Sequence, residues 1–211
     1  NAAKVPAEKL AKWRSDIALK YANGGATRTF DLVPGQTVGF NAPDNEPGLF
    51  NTEEGPGIIV VAKIGEFIST NSARIDGLSI SGGDSGGGIF VNGHAKYLEI
   101  SNNRIFSNYG TYGGGIRVGH PNVDNNGADN DFLKIHNNHI TQNGAAGGVG
   151  GGVSIYAGTQ VYDVSSNHIC GNFSAGHGGG IGHQGSSNRG VIAGNTVIFN
   201  QSFNQGLNVS G

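Results

Sequence analysis

The 211-residue chain has no methionine, one cysteine, six prolines and a single tryptophan, and only 13% of its residues are charged. One cysteine, Cys170, excludes an internal disulfide, so packing and hydrogen bonds must hold the fold. Lysine and arginine (13) nearly balance aspartate and glutamate (15), which leaves no basic footprint and argues against nucleic acid as a partner. No apolar run approaches the length of a membrane-spanning helix, so no membrane span is expected. The lack of an initiating methionine and of a signal peptide suggests a processed piece of a longer protein. What the chain does have is glycine, 39 residues of it, without a collagen-like triplet, and abundant asparagine. Such a composition disfavours helices and favours short strands joined by tight turns.

Internal repetition is the dominant signal. A Gly-Gly-Gly-apolar string occurs at Gly86–Ile89, Gly113–Ile116, Gly150–Val153 and Gly178–Ile181, with weaker copies starting at Gly57 and Gly206. Successive starts are 29, 27, 37, 28 and 28 residues apart. In phase with it runs a second string, Leu98-Glu-Ile-Ser-Asn-Asn103-Arg-Ile-Phe-Ser-Asn108. Its later copies begin at Leu133, Tyr162 and Gly190, and each places Asn at the same two positions. Alternating residues such as Ile100 and Ile135, or Ile105, Ile140 and Ile169, are expected to point inward from short strands. One such coil cannot bury its apolar side alone, but coils stacked about 4.8 Å apart share a continuous core. Asn103, Asn138, Asn167 and Asn195 are expected to form one vertical ladder, and Asn108, Asn143, Asn172 and Asn200 another. Asparagine also suits the left-handed backbone such corners demand.

These strings resemble those of right-handed parallel β-helix repeat proteins, the architecture also seen in pectate lyases and their relatives. The resemblance covers roughly residues 28–211 and implies an all-β solenoid; it does not specify a reaction. Residues 1–27 are expected to form an N-terminal capping α-helix. Pro6 suits the first turn, Leu10, Trp13, Ile17 and Tyr21 share a face, and Asn23-Gly24-Gly25 ends it. Leu19 falls on the opposite side, so the amphipathicity is imperfect. No comparable cap closes the other end, where Gly206–Gly211 reads as the opening of another coil. Further β-helix coils, or a partner chain, are expected there.

Candidate chemistry lies outside the repeat's inward positions. One residue beyond the first ladder, Arg104, His139, His168 and Thr196 should form an outward row, and Glu99, Lys134 and Asp163 another. Such rows can bind a ligand through charge and hydrogen bonds, or simply be solvated faces with alternating charges. Tyr109 and Phe173 follow the second ladder, where rings can stack on sugar faces or shield the core edge. The third coil carries roughly ten extra residues, and their Asp124, Asp129 and Asp131 offer oxygens for a hard cation such as Ca²⁺, though not in EF-hand spacing. Gly83-Asp84-Ser85-Gly86-Gly87 matches the nucleophile motif of chymotrypsin-like proteases, but no histidine precedes it before His94 and it falls on a repeat corner. His183 aligns with inward residues and is expected to be structural. The sequons at Asn172 and Asn200 coincide with ladder positions, where a glycan would disrupt stacking.

Together these features lead to an expected secreted or cell-surface β-helical module of a larger protein. Its role would be structural, adhesive or polysaccharide-binding, with a polysaccharide or cell-surface glycan as partner. The alternative is a carbohydrate-active enzyme: a polysaccharide lyase, hydrolase or epimerase.

Overall fold

The computed structural model describes residues 55–84, 86–119 and 128–203. The expected capping helix, and residues 28–54 of the expected coil region, lie outside these. The described chain winds as a parallel β-solenoid of five coils. The first coil contributes β1 (Ile58–Val61), β2 (Arg74–Asp76) and β3 (Ser79–Ile80). In the second lie β4 (Ile89–Gly93), β5 (Glu99–Ser101), β6 (Arg104–Phe106) and β7 (Tyr109–Gly110). The third has β8 (Ile116–Val118), β9 (Leu133–His136), β10 (His139–Thr141) and β11 (Gly144–Ala145). The fourth has β12 (Val153–Ile155), β13 (Val161–Ser165), β14 (His168–Cys170) and β15 (Phe173–Ser174). The fifth ends the described stack with β16 (Ile181–His183), β17 (Arg189–Ala193), β18 (Thr196–Ile198) and β19 (Gln201–Ser202).

Equivalent strands pair in parallel into four sheets. Sheet 1 runs β1-β4-β8-β12-β16, sheet 2 runs β2-β5-β9-β13-β17, sheet 3 runs β3-β6-β10-β14-β18, and sheet 4 runs β7-β11-β15-β19. Strands this short cannot stand alone, and the period-2 pattern explains why they stack. In β6 and β10 the central isoleucine is buried while its neighbours face out. Ile100, Ile105, Ile135, Ile140, Val164 and Ile169 have no exposed surface and pack in one core. Burying each contributes about 1.5–3 kcal/mol. The register matches the repeat, with Ile105, Ile140, Ile169 and Val197 in one column. Only the first coil departs from it. Ile58, not Val60, lies opposite Ile89, two residues from where the weak glycine repeat put it.

Both asparagine ladders are present. The Asn103 amide N–H and Nδ2 each donate to Asn138 Oδ1 at 3.0 Å. Asn138 does the same to Asn167, and Asn167 to Asn195. The second ladder repeats this from Asn108 through Asn143 and Asn172 to Asn200. The other Nδ2 hydrogen points back to the preceding coil, as from Asn138 to the Ile100 carbonyl at 2.9 Å. Each central amide is thus satisfied on both sides, as burial requires. Asn172, a sequon residue, is buried in this network.

One expectation is corrected. The left-handed backbone falls on the residue before each ladder asparagine, not on the asparagine itself. Asn102, Asn137 and Ser166 have φ near +55°, and Ser107 and Gln142 do so before the second ladder. The ladder residue must keep a conformation that aims its amide along the stack, so its predecessor makes the turn.

The middle strands of sheet 1, β4, β8 and β12, are buried on both faces. Its outward row holds Phe90, Arg117 and Ser154. The Arg117 guanidinium lies 3.5 Å above the Phe90 ring and has no exposed surface. Alternation gives the direction of these side chains but not their cover.

Candidate functional site

Sheets 2 and 3 meet at the first ladder, and their outward side chains build a polar surface there. Sheet 3 aligns Ser79, Arg104, His139, His168 and Thr196 in one row. Because the intervening isoleucines are anchored in the core, this row is forced outward. The His139 and His168 rings stand 5.0 Å apart and tilted by 36°. Arg104 lies 4.7 Å above the ring of Phe106, two residues along the same strand. That contact steadies the guanidinium and leaves its edge donors facing outward. An open groove of about 470 Å³ runs along the corner, lined in part by Ser79, Asn102, Arg104, Asn137 and His139.

Sheet 2 places Arg74, Glu99, Lys134, Asp163 and Val191 in register. The expected alternation of charge is present in the order of residues, but no ion pair joins Lys134 to Glu99 or to Asp163 among the described residues. Glu99 instead meets His136 diagonally, Nε2 to Oε1 at 2.6 Å. The other ring nitrogen, Nδ1, is met by the Asn137 amide at 3.0 Å. His136 is the residue that sequence reasoning missed. It occupies the row Asp76, Ser101, His136, Ser165, where its neighbours carry no repeated chemistry. A carboxylate on the next coil, offset by two residues, was the available signal.

A second network sits one coil earlier. Asp76 Oδ1 accepts from Asn102 Nδ2 at 2.7 Å, Ser101 Oγ at 2.8 Å and Arg74 at 3.0 Å. The Asn102 and Ser101 hydrogen bonds, with Arg74 beside them, hold the Asp76 carboxyl below the ordinary range. Asp163 has one carboxylate oxygen buried without a hydrogen-bond partner. It lies on sheet 2, so the structure does not set it in the row of Arg104, His139 and His168.

Tyr109 and Phe173 are exposed on sheet 4, on the far side of the second ladder from that row. Gly144 lies between them in the column, and the Phe173 ring covers it; a Cβ on Gly144 would come within 2.1 Å of the Phe173 ring tip. Phe173 also meets Phe203 edge-on at 5.9 Å. These rings shield the seam between coils and still present aromatic surface.

The acidic insertion is described only in part, because Asp124 lies outside the described residues. Asp129 pairs with Lys96 at 3.0 Å, and Asp131 Oδ1 accepts from the Gln160 amide at 2.6 Å. Both carboxylates therefore serve internal contacts. Among the described residues no group of three His, Cys, Asp or Glu is arranged to hold a metal ion. His183 stands in the inward column, opposite Ile155, yet is exposed on the fifth coil, with Nδ1 2.9 Å from the Tyr162 hydroxyl. Desolvation lowers its pKa and raises that of Tyr162. Of the protease-like string, Gly83 and Gly86 are buried corner residues; Ser85 lies outside the described residues. No helix among the described residues is long and apolar enough to cross a membrane.

No family model, curated protein or solved structure matches the chain.

Proposed function

We propose that the chain is a secreted or cell-surface module whose sheet 2/sheet 3 corner binds a polysaccharide. The observation that carries this reading is the outward row of Arg104, His139 and His168, one donor per coil, beside an open groove that Arg104 and His139 line. A surface that repeats along its axis suits a ligand that repeats along its own. Charged and amide donors at fixed spacing match hydroxyl and carboxylate groups on successive sugars. Tyr109 and Phe173 add a separate stacking surface on sheet 4. The right-handed sense expected of the coils follows the general handedness of parallel strand crossovers. Calcium remains a proposal for the acidic insertion and enters no step of the binding reading.

A second reading is a carbohydrate-active enzyme, favoured by one contact. Glu99 and Asn137 hold His136 at both ring nitrogens beside the groove. A carboxylate orients the imidazole as in a general base, and substrate would have to displace the Asn137 amide from Nδ1 for that nitrogen to take up a proton. A fold of this kind hosts many functions, so the chemistry must be measured.

The test is a glycan array with the chain, followed by lyase and hydrolase assays on every polymer bound, with and without Ca²⁺. The binding reading expects retention of polysaccharide without turnover, weakened roughly tenfold or more by Arg104→Ala, about the value of one charged hydrogen bond. Turnover abolished by His136→Ala but not by Arg104→Ala establishes the enzymatic reading instead. Absence of binding to any glycan refutes both.

A further inference from the structure

Two histidines face each other across adjacent coils with no other use. β10 and β14 pair in register, His139 opposite His168, and the two rings stand 5.0 Å apart. The core fixes this pair. Ile140 and Ile169, the next residue in each strand, are wholly buried, so a slip of one residue would be needed to turn either imidazole inward. His136 is engaged by Glu99 and Asn137, and His183 by Tyr162. Among the described residues neither His139 nor His168 makes a hydrogen bond through its ring, and the contact between the two rings is what they have. His139 is exposed and His168 half-buried, so solvent species reach both.

We infer that His139 and His168 together bind a borderline divalent transition-metal ion, Cu²⁺ most tightly. A metal sits about 2.0–2.1 Å from an imidazole nitrogen, hence about 3.2 Å from the ring centre. Two rings on one ion at about 90–110° therefore have their centres about 4.5–5.2 Å apart. The observed 5.0 Å falls inside that window. Turning each ring about its Cβ–Cγ bond, a torsion with broad freedom, aims one nitrogen of each at a shared point without moving the backbone. Imidazole suits Cu²⁺, Ni²⁺ and Zn²⁺ rather than the oxygen-seeking Ca²⁺, and Cu²⁺ heads that series. Arg104 stands beyond His139 in the row and Thr196 beyond His168, so the row supplies two ligands and no more. Cys170 lies two residues after His168, but no group of three His, Cys, Asp or Glu is arranged for a metal among the described residues. An ion with two protein ligands keeps positions for water or an incoming donor, which makes the site exchangeable and not one that holds the fold. His139 lines the groove at the corner of sheets 2 and 3, so the ion stands at that groove's edge. Metal binding here does not require a glycan.

The probe is Cu²⁺ carrying one iminodiacetate, a chelate that leaves room for two adjacent imidazoles and binds single ones weakly. Titrated calorimetrically into the full chain in weakly alkaline buffer, it is expected to occupy a single site. His139→Ala and His168→Ala should each weaken binding roughly tenfold or more, because each removes the intramolecular second ligand. His183→Gln, on the fifth coil, should leave binding unchanged. Pulsed EPR of the wild-type chain should count two imidazoles on the ion, a readout that stands even where a variant fails to fold. A chain that does not take up the chelate overturns the inference. So does binding that survives either alanine substitution in a folded variant, or an ion that carries one imidazole.

Discussion

The third and fifth coils have nearly the same pattern and opposite surroundings. Ile135 and Ile140 have no exposed surface, whereas Ile192 and Val197, in the same columns, are about half exposed. The difference does not lie in local sequence, since both coils read apolar-x-x-Asn or close variants around their strands. It lies in how many neighbours each coil has. In a solenoid, burial is contributed by adjacent coils, so stability is a sum of neighbour terms that falls off at an end. Substitutions matched between the two coils measure that sum.

The largest contrast concerns glycine. A Cβ on Gly115 would sit 2.4 Å from the Gly152 carbonyl oxygen and 2.9 Å from the Ile140 side chain. Backbone on the next coil cannot move aside, so Gly115→Val should cost about 3 kcal/mol or more in urea unfolding. Gly194, at the open end, meets only distant atoms but has φ of +63°. Asparagine adopts that conformation at Asn102 and Asn137, so Gly194→Asn should cost under about 1 kcal/mol. Equal losses at the two sites would show that the clash with the next coil's backbone at Gly115, absent at Gly194, adds nothing to the cost.

The ladder gives the next contrast. Asn138→Leu strands the Asn103 amide and the Ile100 carbonyl in the buried interior, at a cost of about 1–3 kcal/mol. Asn195→Leu strands the Asn167 amide and the Val164 carbonyl at the fifth coil, where Asn195 itself is partly exposed, and should cost less. Both are read by thermal melting of the full chain.

Smaller effects follow from titration. Asp76 has a folded pKa below its unfolded value, so its stabilisation is present above about pH 4 and is lost as pH falls through the folded value. Asp76→Asn should flatten the acid limb of a melting-temperature profile. For His183, also lowered, the unfolded chain binds the proton first. Stability should therefore decline as pH drops below about 6.5, and His183→Gln should remove that slope. Smallest of all, Arg104→Ala should change stability by no more than about 0.5 kcal/mol, since it is exposed and touches mainly Phe106.

Much of this arrangement is legible in the sequence, because a solenoid writes each coil's register as a spacing. Asn103, Asn138, Asn167 and Asn195 recur at fixed offsets from inward isoleucines, so the ladder and the outward row of Arg104, His139 and His168 follow together. Three features are not legible, each for a physical reason. The turn residue beside the ladders varies among Asn, Ser, Gln, Gly and Phe, so no residue type marks the positive φ. The Glu99–His136 contact crosses coils diagonally, so no single column reveals it. Arg117 points outward by alternation yet is wholly buried over the Phe90 ring, because alternation sets a side chain's direction and not its cover. The candidate site was half legible: its row was, and His136 on Glu99 was not.

The claim that neighbouring coils, rather than local sequence, supply the core is tested most directly by one matched pair. Ile140→Ala and Val197→Ala truncate side chains in the same column of sheet 3, one between two coils and the other at the open face. Urea unfolding of both variants gives the comparison. The neighbour account predicts a loss of about 2–5 kcal/mol for Ile140→Ala and under about 1 kcal/mol for Val197→Ala. Comparable losses, beyond the one-methylene difference between the parent residues, would contradict it.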